Sequence, residues 1–355
     1  MKRRRAAERA HMLQPGARLQ RGYVIEAVLG KGGMGSVYLA RQDTLGGRRV
    51  AIKETSIHVD DPATRALVTD QFAREAHILA SIDHPNLVDV KDFFEENGAH
   101  YMVMAFIDGE TLQHVIDRTP GFLAVEQVLA WMEPLCDVLV VLHEHAPPVL
   151  VRDLKPSNVM VDRGGRVRLI DFGIARVHED AGARTSNLLK GAGTVGYAPM
   201  EQFGGQGTDA RADVYALGAT IYALLTRTVP PWSVHIAAGE ATLQPPSRLN
   251  PAVPPALDAI VLGMMAPRRD DRCPSVREAR QTLQAVRASL QAGPPQRRFC
   301  THCGTPVQPG LPACPRCGDS LEAQAQRLEV SSSGGHVPPA TPRAGSGAFP
   351  PSMPP

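Results

Sequence analysis

The chain has 355 residues, 43% of them apolar, 21% charged and 5% aromatic, with a formal net charge of +2. That apolar share excludes wholesale disorder and leaves room for one domain of roughly 270 residues plus an appendage, or for two ordinary domains. Residues 1–22 alone carry +6, from seven Lys/Arg against one Glu, and the remainder −4, which excludes a nucleic-acid or membrane footprint over the whole chain.

The run Lys2-Arg3-Arg4-Arg5 reads as a solvated basic tail over residues 1–21, with a tether to nucleic acid or membrane as the alternative; Met12 offers a second start. No apolar segment follows the run, so it does not read as a secretory signal. No uninterrupted apolar stretch reaches 18 residues, and the best candidate, 256–266, contains Asp258. A soluble, cytoplasmic chain without a membrane span is expected.

From Gly22, the β-branched runs 23–25 and 27–29 lead into Gly30-Lys31-Gly32-Gly33-Met34-Gly35-Ser36 and then Val37-Tyr38-Leu39-Ala40, predicting two strands joined by a glycine-rich turn. Arg49-Val50-Ala51-Ile52-Lys53 reads as a third strand, and Phe72, Ala76 and Leu79 at helical spacing, with Glu75 among them, as a helix. Asn97-Gly98 signals a hairpin between 88–94 and 101–106. After Gly109 the pattern turns helical: 125–143, interrupted at Pro134, then 210–225, 255–265 and 276–290, with short strands over 149–170 and proline-rich loop over 227–255. A β-rich first part followed by a helix-rich second part predicts an α+β, two-lobed fold.

Glycines at 30, 32 and 35 permit close approach of backbone N–H groups to phosphate. A dinucleotide fold is disfavoured, because a strand rather than a helix follows the glycines and no acidic residue closes a βαβ unit about 20 residues on. Downstream, in order, come Val50-Ala51-Ile52-Lys53, Glu75, Val151-Arg152-Asp153-Leu154-Lys155-Pro156-Ser157-Asn158, Asp171-Phe172-Gly173, Ala198-Pro199-Met200-Glu201 and Asp213 with Gly218. This ordered set resembles the Hanks-type (eukaryotic-like) serine/threonine protein kinases, most of all their bacterial branch, over roughly residues 22–290.

The resemblance implies an ATP-dependent, non-specific serine/threonine protein kinase with an N-lobe of about 22–107 and a C-lobe of about 108–290. Lys53, held by Glu75, is expected on the α/β-phosphates, and Asn158 and Asp171 on Mg²⁺ or Mn²⁺. Asp153 is expected to orient the substrate hydroxyl and take its proton, and Lys155 to neutralise the γ-phosphoryl group. Leu29 to Val37 would cover the nucleotide, including Gly33, Met34 and Ser36. Adenine would lie between Val37 and Ala51 above and Met160 below, with Met104 as gatekeeper and Ala105 to Ile107 as a hinge donating backbone hydrogen bonds. Thr185 and Ser186 are candidate autophosphorylation sites pairing with Arg152, and Thr194 is assigned to the substrate pocket. Glu201 with Arg272, and Asp213, are expected to be structural. The chain departs from the family pattern at Val151, where the family usually has His. That position is expected to pack beneath Phe172 in an apolar column completed by Leu79 and Val90. Ala105 and Met200 also depart, with little effect expected on catalysis. A scaffold that binds nucleotide or partners without transfer is the alternative, favoured only by Val151.

Thirteen of the 31 prolines follow Gly293, as do four of the six cysteines. Residues 291–298 read as a linker. Cys300 and Cys303, each knuckle closed by a glycine (Gly304, Gly318), and Cys314 and Cys317 read as two zinc knuckles of a ribbon over 299–319, a closed structural Zn²⁺ site; two disulfides are the alternative. The ribbon is expected to dock protein rather than nucleic acid, since only Phe299 offers a stacking surface beside Arg297, Arg298 and Arg316. Residues 320–355 are Ser/Gly/Pro-rich and are expected to be disordered. Partners are therefore protein substrates bearing Ser or Thr, and a second copy of the chain for trans-autophosphorylation.

Overall fold

Alternation along one strand sets the first layer. In β4 (Arg48–Thr55), Val50 and Ile52 are buried on one face, while Ala51 and Lys53 occupy the other. Pairing carries the pattern across β3 (Gly35–Gln42) and β6 (Ala99–Ala105): Ile52 stands opposite Tyr38 and Val103, whereas Lys53 stands opposite Val37 and Met102, and Ala51 opposite Leu39 and Met104. One face closes a core of Tyr23, Ile25, Tyr38, Ala40, Val50, Ile52, Tyr101 and Val103, and the other carries the candidate site. The six strands run in the order β1 (Arg18–Leu19), β2 (Tyr23–Gly32), β3, β4, β6 and β5 (Val90–Glu96), all antiparallel. On the core face the buried Glu54 accepts hydrogen bonds from the Tyr38 and Tyr101 hydroxyls at 2.6 and 3.3 Å. Burial, reinforced by Glu54, holds the Tyr38 phenol above its ordinary value.

The computed structural model describes residues 12–32, 35–55, 69, 73, 76–171, 195–203, 207–292, 298–300, 302–307 and 311–321. They fall into two compact units that divide after Gln291. Residues 12–21, expected within a solvated tail, are packed on the sheet. Met12, Leu13 and Ala17 cover its core, Leu19 is buried, and Gly16 N–H donates to Ile25 C=O at 2.8 Å. Their basic residues find acids distant in sequence: Arg18 meets Asp43 at 3.3 Å, and Arg21 pairs with Asp92 while lying over the Phe94 ring.

The second lobe is helical around a small sheet, β7 (Gly109–Thr111), β8 (Val159–Asp162) and β9 (Val167–Leu169). Thr111 caps α1 (Leu112–Arg118) by accepting the His114 N–H. α2 (Val125–Glu144) runs through Pro134 without ending. A proline inside a helix forfeits one backbone bond; here the helix continues through that defect, with ten buried side chains from Val125 to Leu142 packing it into the core. α3 (Arg211–Thr226) is buried on every side, as befits a core helix. The stretch expected as loop contains α4 (Ser233–Ala237) and α5 (Pro246–Leu249), both too short for a periodic signal, the latter with proline in its first turn. α6 (Pro255–Met264) and α7 (Val276–Gln291) complete the lobe.

The Leu87–Leu169 bridge, with Val88 N–H donating to Leu169 C=O at 2.9 Å, ties the two lobes together behind the site. No helix among the described residues is long and apolar enough to cross a membrane.

Candidate active site

The site lies where the Lys53 face of β4 meets the loops around β8 and β9. Lys53 Nζ is hydrogen-bonded to Asp171 Oδ1, a contact across 118 positions of sequence. Glu75, the expected partner of Lys53, lies outside the described residues, so the cation's described partner is the carboxylate from the second lobe. Lys155 Nζ donates to Asp153 Oδ2 at 2.8 Å, and Asn158 Nδ2 donates to the Asp153 carbonyl at 2.7 Å and to Oδ2 at 3.0 Å. Ile170 N–H donates to the Asn158 carbonyl at 2.9 Å, which sets Asn158 beside the residue preceding Asp171. With its amide nitrogen committed to Asp153, Asn158 keeps its side-chain oxygen as an acceptor, and Asp171 adds carboxylate oxygen. Hard oxygen donors of this kind fit Mg²⁺ or Mn²⁺.

The loop carrying Asp153 is held from below. Asp213, with no exposed surface, accepts Val151 N–H through Oδ2 and Arg152 N–H through Oδ1, both at 2.8 Å. Asp153 N–H turns back onto the Val151 carbonyl at 2.8 Å, and Arg152 adopts φ +58°, left-handed for a non-glycine residue. Val151 is fully buried in the same core as Leu79 and Val90, the expected apolar column; its fourth member, Phe172, lies outside the described residues. Arg152 Nε is buried without an acceptor among the described residues.

The expected nucleotide slot is apolar and partly open. Val37, Ala51 and Met160 are half-buried, Met104 and Ile107 are buried, and Leu29 is exposed. Gly30 and Gly32 lie on β2 facing Val37 and Gly35 on β3, with Lys31 opposite Ser36. Gly35 is required: at φ +152° a Cβ would lie 1.8 Å from the Glu54 carbonyl oxygen. Ala105 N–H is spent on the Asp89 carbonyl at 2.9 Å, so it is not a hinge donor as expected. Gly33, Met34, Thr185, Ser186 and Thr194 lie outside the described residues.

The structural pair is as expected. Arg272 meets Glu201 twice, Nη1 to Oε1 at 2.5 Å and Nη2 to Oε2 at 3.0 Å. Its remaining donors reach the carbonyls of Ala266, Pro267 and Arg211, and the guanidinium lies over Tyr215. Elsewhere in this lobe, burial pushes the Tyr197 phenol up to about 12, with Asp117 adding to it.

In the second unit β10 (Arg298–Phe299) pairs with β11 (Pro306–Val307), and two similar knuckles face each other. Cys300 N–H donates to the Thr305 carbonyl and Gly304 N–H to the Cys300 carbonyl; Cys314 N–H and Gly318 N–H repeat this with Asp319 and Cys314. Both closing glycines are left-handed, at φ +68° and +75°. All four Sγ atoms lie within 4.8 Å of one another, with Cys300–Cys317 and Cys303–Cys314 each at 3.6 Å. Disulfide sulfurs stand about 2.05 Å apart, whereas thiolates on a tetrahedral zinc with bonds of about 2.3 Å stand about 3.8 Å apart. The donor set fits one tetrahedral metal and not two disulfides. His302 is exposed and outside the cluster.

One residue escaped the sequence reading. His143, in the last turn of α2, places Nε2 2.8 Å from Asp213 Oδ2. Nothing in its sequence neighbourhood marks it, because its partner lies 70 positions away.

A curled antiparallel sheet joined to a helical lobe, with lysine, two aspartates and asparagine gathered between them, is the arrangement of a protein kinase fold. The protein kinase domain family model matches residues 23–282, and the chain belongs to that family. It is 36% identical over 278 residues to a protein of Streptomyces coelicolor named "Probable serine/threonine-protein kinase SCO3848", covering 76% of this chain and 40% of that one. It is 33% identical to serine/threonine-protein kinase PknB of Mycolicibacterium smegmatis (78% and 47% covered) and 35% identical to serine/threonine-protein kinase PrkC of Bacillus subtilis (70% and 38%). The chain thus spans less than half the length of these relatives. Among solved structures it resembles the apo form of PpkA-294, with a TM-score of 0.65 and 30% identity over 77% of this chain and 99% of that one. The kinase domain of Mycobacterium tuberculosis PknI follows at 0.59 and 29%, covering 77% and 99%.

Proposed function

We propose that the chain is an active, ATP-dependent serine/threonine protein kinase of the cytoplasm that transfers the γ-phosphoryl group of ATP to Ser and Thr hydroxyls of proteins. The observation that carries this reading is the convergence of Lys53, Asp171, Asn158, Asp153 and Lys155 from two lobes onto one cleft. Lys53 holds the α/β-phosphates, with Glu75 as its second partner once the nucleotide engages the Asp171 side. Asn158 and Asp171 are the residues that would hold Mg²⁺ or Mn²⁺, and such an ion, when bound, would neutralise phosphate charge. Asp153 accepts the proton of the substrate hydroxyl as its oxygen bonds to the γ-phosphorus; the bond from that phosphorus to the bridging oxygen breaks, and ADP leaves. Lys155, already on Asp153, neutralises charge on the transferring group. Adenine is sandwiched by Val37, Ala51 and Met160, and its edge is read by the Ala105 carbonyl and the Ile107 N–H.

The domain limits follow: kinase body 22–290 with residues 12–21 packed onto it, linker 291–298, ribbon 299–319 and tail 320–355. Thr185 and Ser186 are the activation-loop phosphosites, filled in trans by a second copy, and Thr194 borders the substrate hydroxyl. Cys300, Cys303, Cys314 and Cys317 hold a structural Zn²⁺, and the ribbon docks protein. The transfer reading is tested with γ-labelled ATP, Mg²⁺ and a generic basic protein. The wild type labels the protein, and Asp153→Asn loses at least about 100-fold in rate, the scale of a lost general base; equal rates would refute the role of Asp153.

A further inference from the structure

We infer that Glu54 is a positioning residue for the nucleotide: its buried carboxylate fastens β4 to both neighbouring strands one residue beyond Lys53, and so fixes the root of the side chain that reads the phosphates. The inference rests on the reading of Lys53 as the phosphate contact. Glu54 is 8% exposed, and a carboxylate taken out of water is a costly way to fill a core unless its bonds do something that packing does not. Its two bonds leave β4 in opposite directions. Oε2 accepts from the hydroxyl of Tyr38 on β3 at 2.6 Å, and Oε1 from the hydroxyl of Tyr101 on β6 at 3.3 Å. Burial and the facing carboxylate hold the Tyr101 phenol, like that of Tyr38, above its ordinary value, so both remain donors at neutral pH.

The tie acts at the end of the strand. β4 stops at Thr55, just past Lys53 and Glu54, and strand ends are where a sheet frays first. Successive side chains of a strand point to opposite faces, so holding Glu54 on the core face holds Lys53 on the site face; a slip of one residue would exchange them. Tyr101 stands directly opposite Glu54 and Met102 opposite Lys53, which pins that register. On the other side Ser36 faces Glu54 and Gly35 faces Thr55. The Glu54 carbonyl lies so close to Gly35 that the glycine-rich turn and the Lys53 strand share this anchor. The Tyr38 hydroxyl also accepts Leu13 N–H at 3.3 Å, so the segment before β1 closes over the tie. Lysine carries its charge on a flexible four-carbon stem, and the placement of its Cα decides where Nζ reaches, here Asp171.

The test measures binding of Mg²⁺-ATP and of adenosine to the full chain and its variants by calorimetry, with urea unfolding recorded alongside. Glu54→Leu/Tyr38→Phe/Tyr101→Phe removes the tie and leaves no buried charge without a partner, so it is expected to unfold no more easily than wild type. Its affinity for Mg²⁺-ATP is nevertheless expected to fall about tenfold, the scale of one hydrogen bond to a charged group. Adenosine, which carries no phosphate, is expected to bind within about twofold of wild type. Glu54→Gln, whose carbonyl accepts from Tyr38 while its amide donates to the Tyr101 oxygen, is expected to stay within about threefold for both ligands. Tyr101→Phe loses the longer bond alone, with an expected loss of about threefold for Mg²⁺-ATP; it reads the same split should the triple variant not fold. Wild-type Mg²⁺-ATP affinity in the folded triple variant overturns the inference, as does a loss shared equally by adenosine, or a glutamine variant as weak as the triple. Where the triple variant is unfolded, wild-type binding by Tyr101→Phe overturns it. If Lys53→Met binds Mg²⁺-ATP as wild type does, the phosphate role of Lys53 fails and the inference with it. If Lys53→Met loses affinity and the triple variant does not, the positioning role alone is refuted.

Discussion

Arg272 illustrates how much of this molecule is decided by single side chains. Every nitrogen of its guanidinium finds an acceptor in a buried setting, two of them on Glu201. Removing one member of a buried pair strands the other, a change that typically costs about 3–5 kcal/mol. Glu201→Ala is accordingly expected to lower urea-unfolding stability by that order, and Glu201→Ala combined with Arg272→Met by less, because no uncompensated charge remains. Equal losses in single and double variants would contradict the pair's assigned role. The residues proposed to carry the chemistry are a different case. In that reading Lys53, Asp153, Asn158 and Asp171 answer to phosphate and metal chemistry, so their types and order are legible in the sequence itself. The contacts of His143 with Asp213 and of the Asp89 carbonyl with Ala105 are not, because only folding brings these partners together.

At the scale of elements, the sheet is legible because a period-two pattern with glycine turns leaves few alternatives. Its beginning is not. Residues 12–21 read as a tail by charge, yet Leu13, Ala17 and Leu19 pack on the sheet and Asp43 and Asp92 take up the arginines. Pro134 reads as a break because its local cost is real, while the burial that offsets it is a tertiary effect. The cysteine knuckles are legible in full, since their spacing encodes a geometry. The ribbon has only Cys300, Val307 and Cys314 as buried apolar residues among those described, too small a core to fold by burial alone. Zinc is therefore expected to supply its folding free energy. One zinc per chain is expected by elemental analysis, lost in Cys300→Ser/Cys314→Ser, and stripping it with a strong chelator is expected to collapse the dispersed amide NMR signals of 298–321 while leaving the kinase body's signals in place. A dispersed ribbon spectrum in metal-free protein would contradict that account.

At the scale of the whole molecule, two compact units share one chain: a two-lobed body of the protein kinase family and a small cysteine unit. The body's lobes are joined through chemistry as well as packing, since the ion pair of Lys53 with Asp171 crosses between them at the site itself. The replacement of histidine by Val151 leaves this arrangement intact, because the position is filled by packing and the loop is held by Asp213. The central claim is that this body transfers phosphate to protein hydroxyls. Phosphoamino-acid analysis of the chain and an added basic protein after incubation with Mg²⁺ and γ-labelled ATP tests it most directly. The account predicts label on serine and threonine, absent from tyrosine and lost in Asp153→Asn although that variant still binds ATP. A wild-type chain that binds ATP yet leaves no label on either hydroxyl amino acid would contradict it.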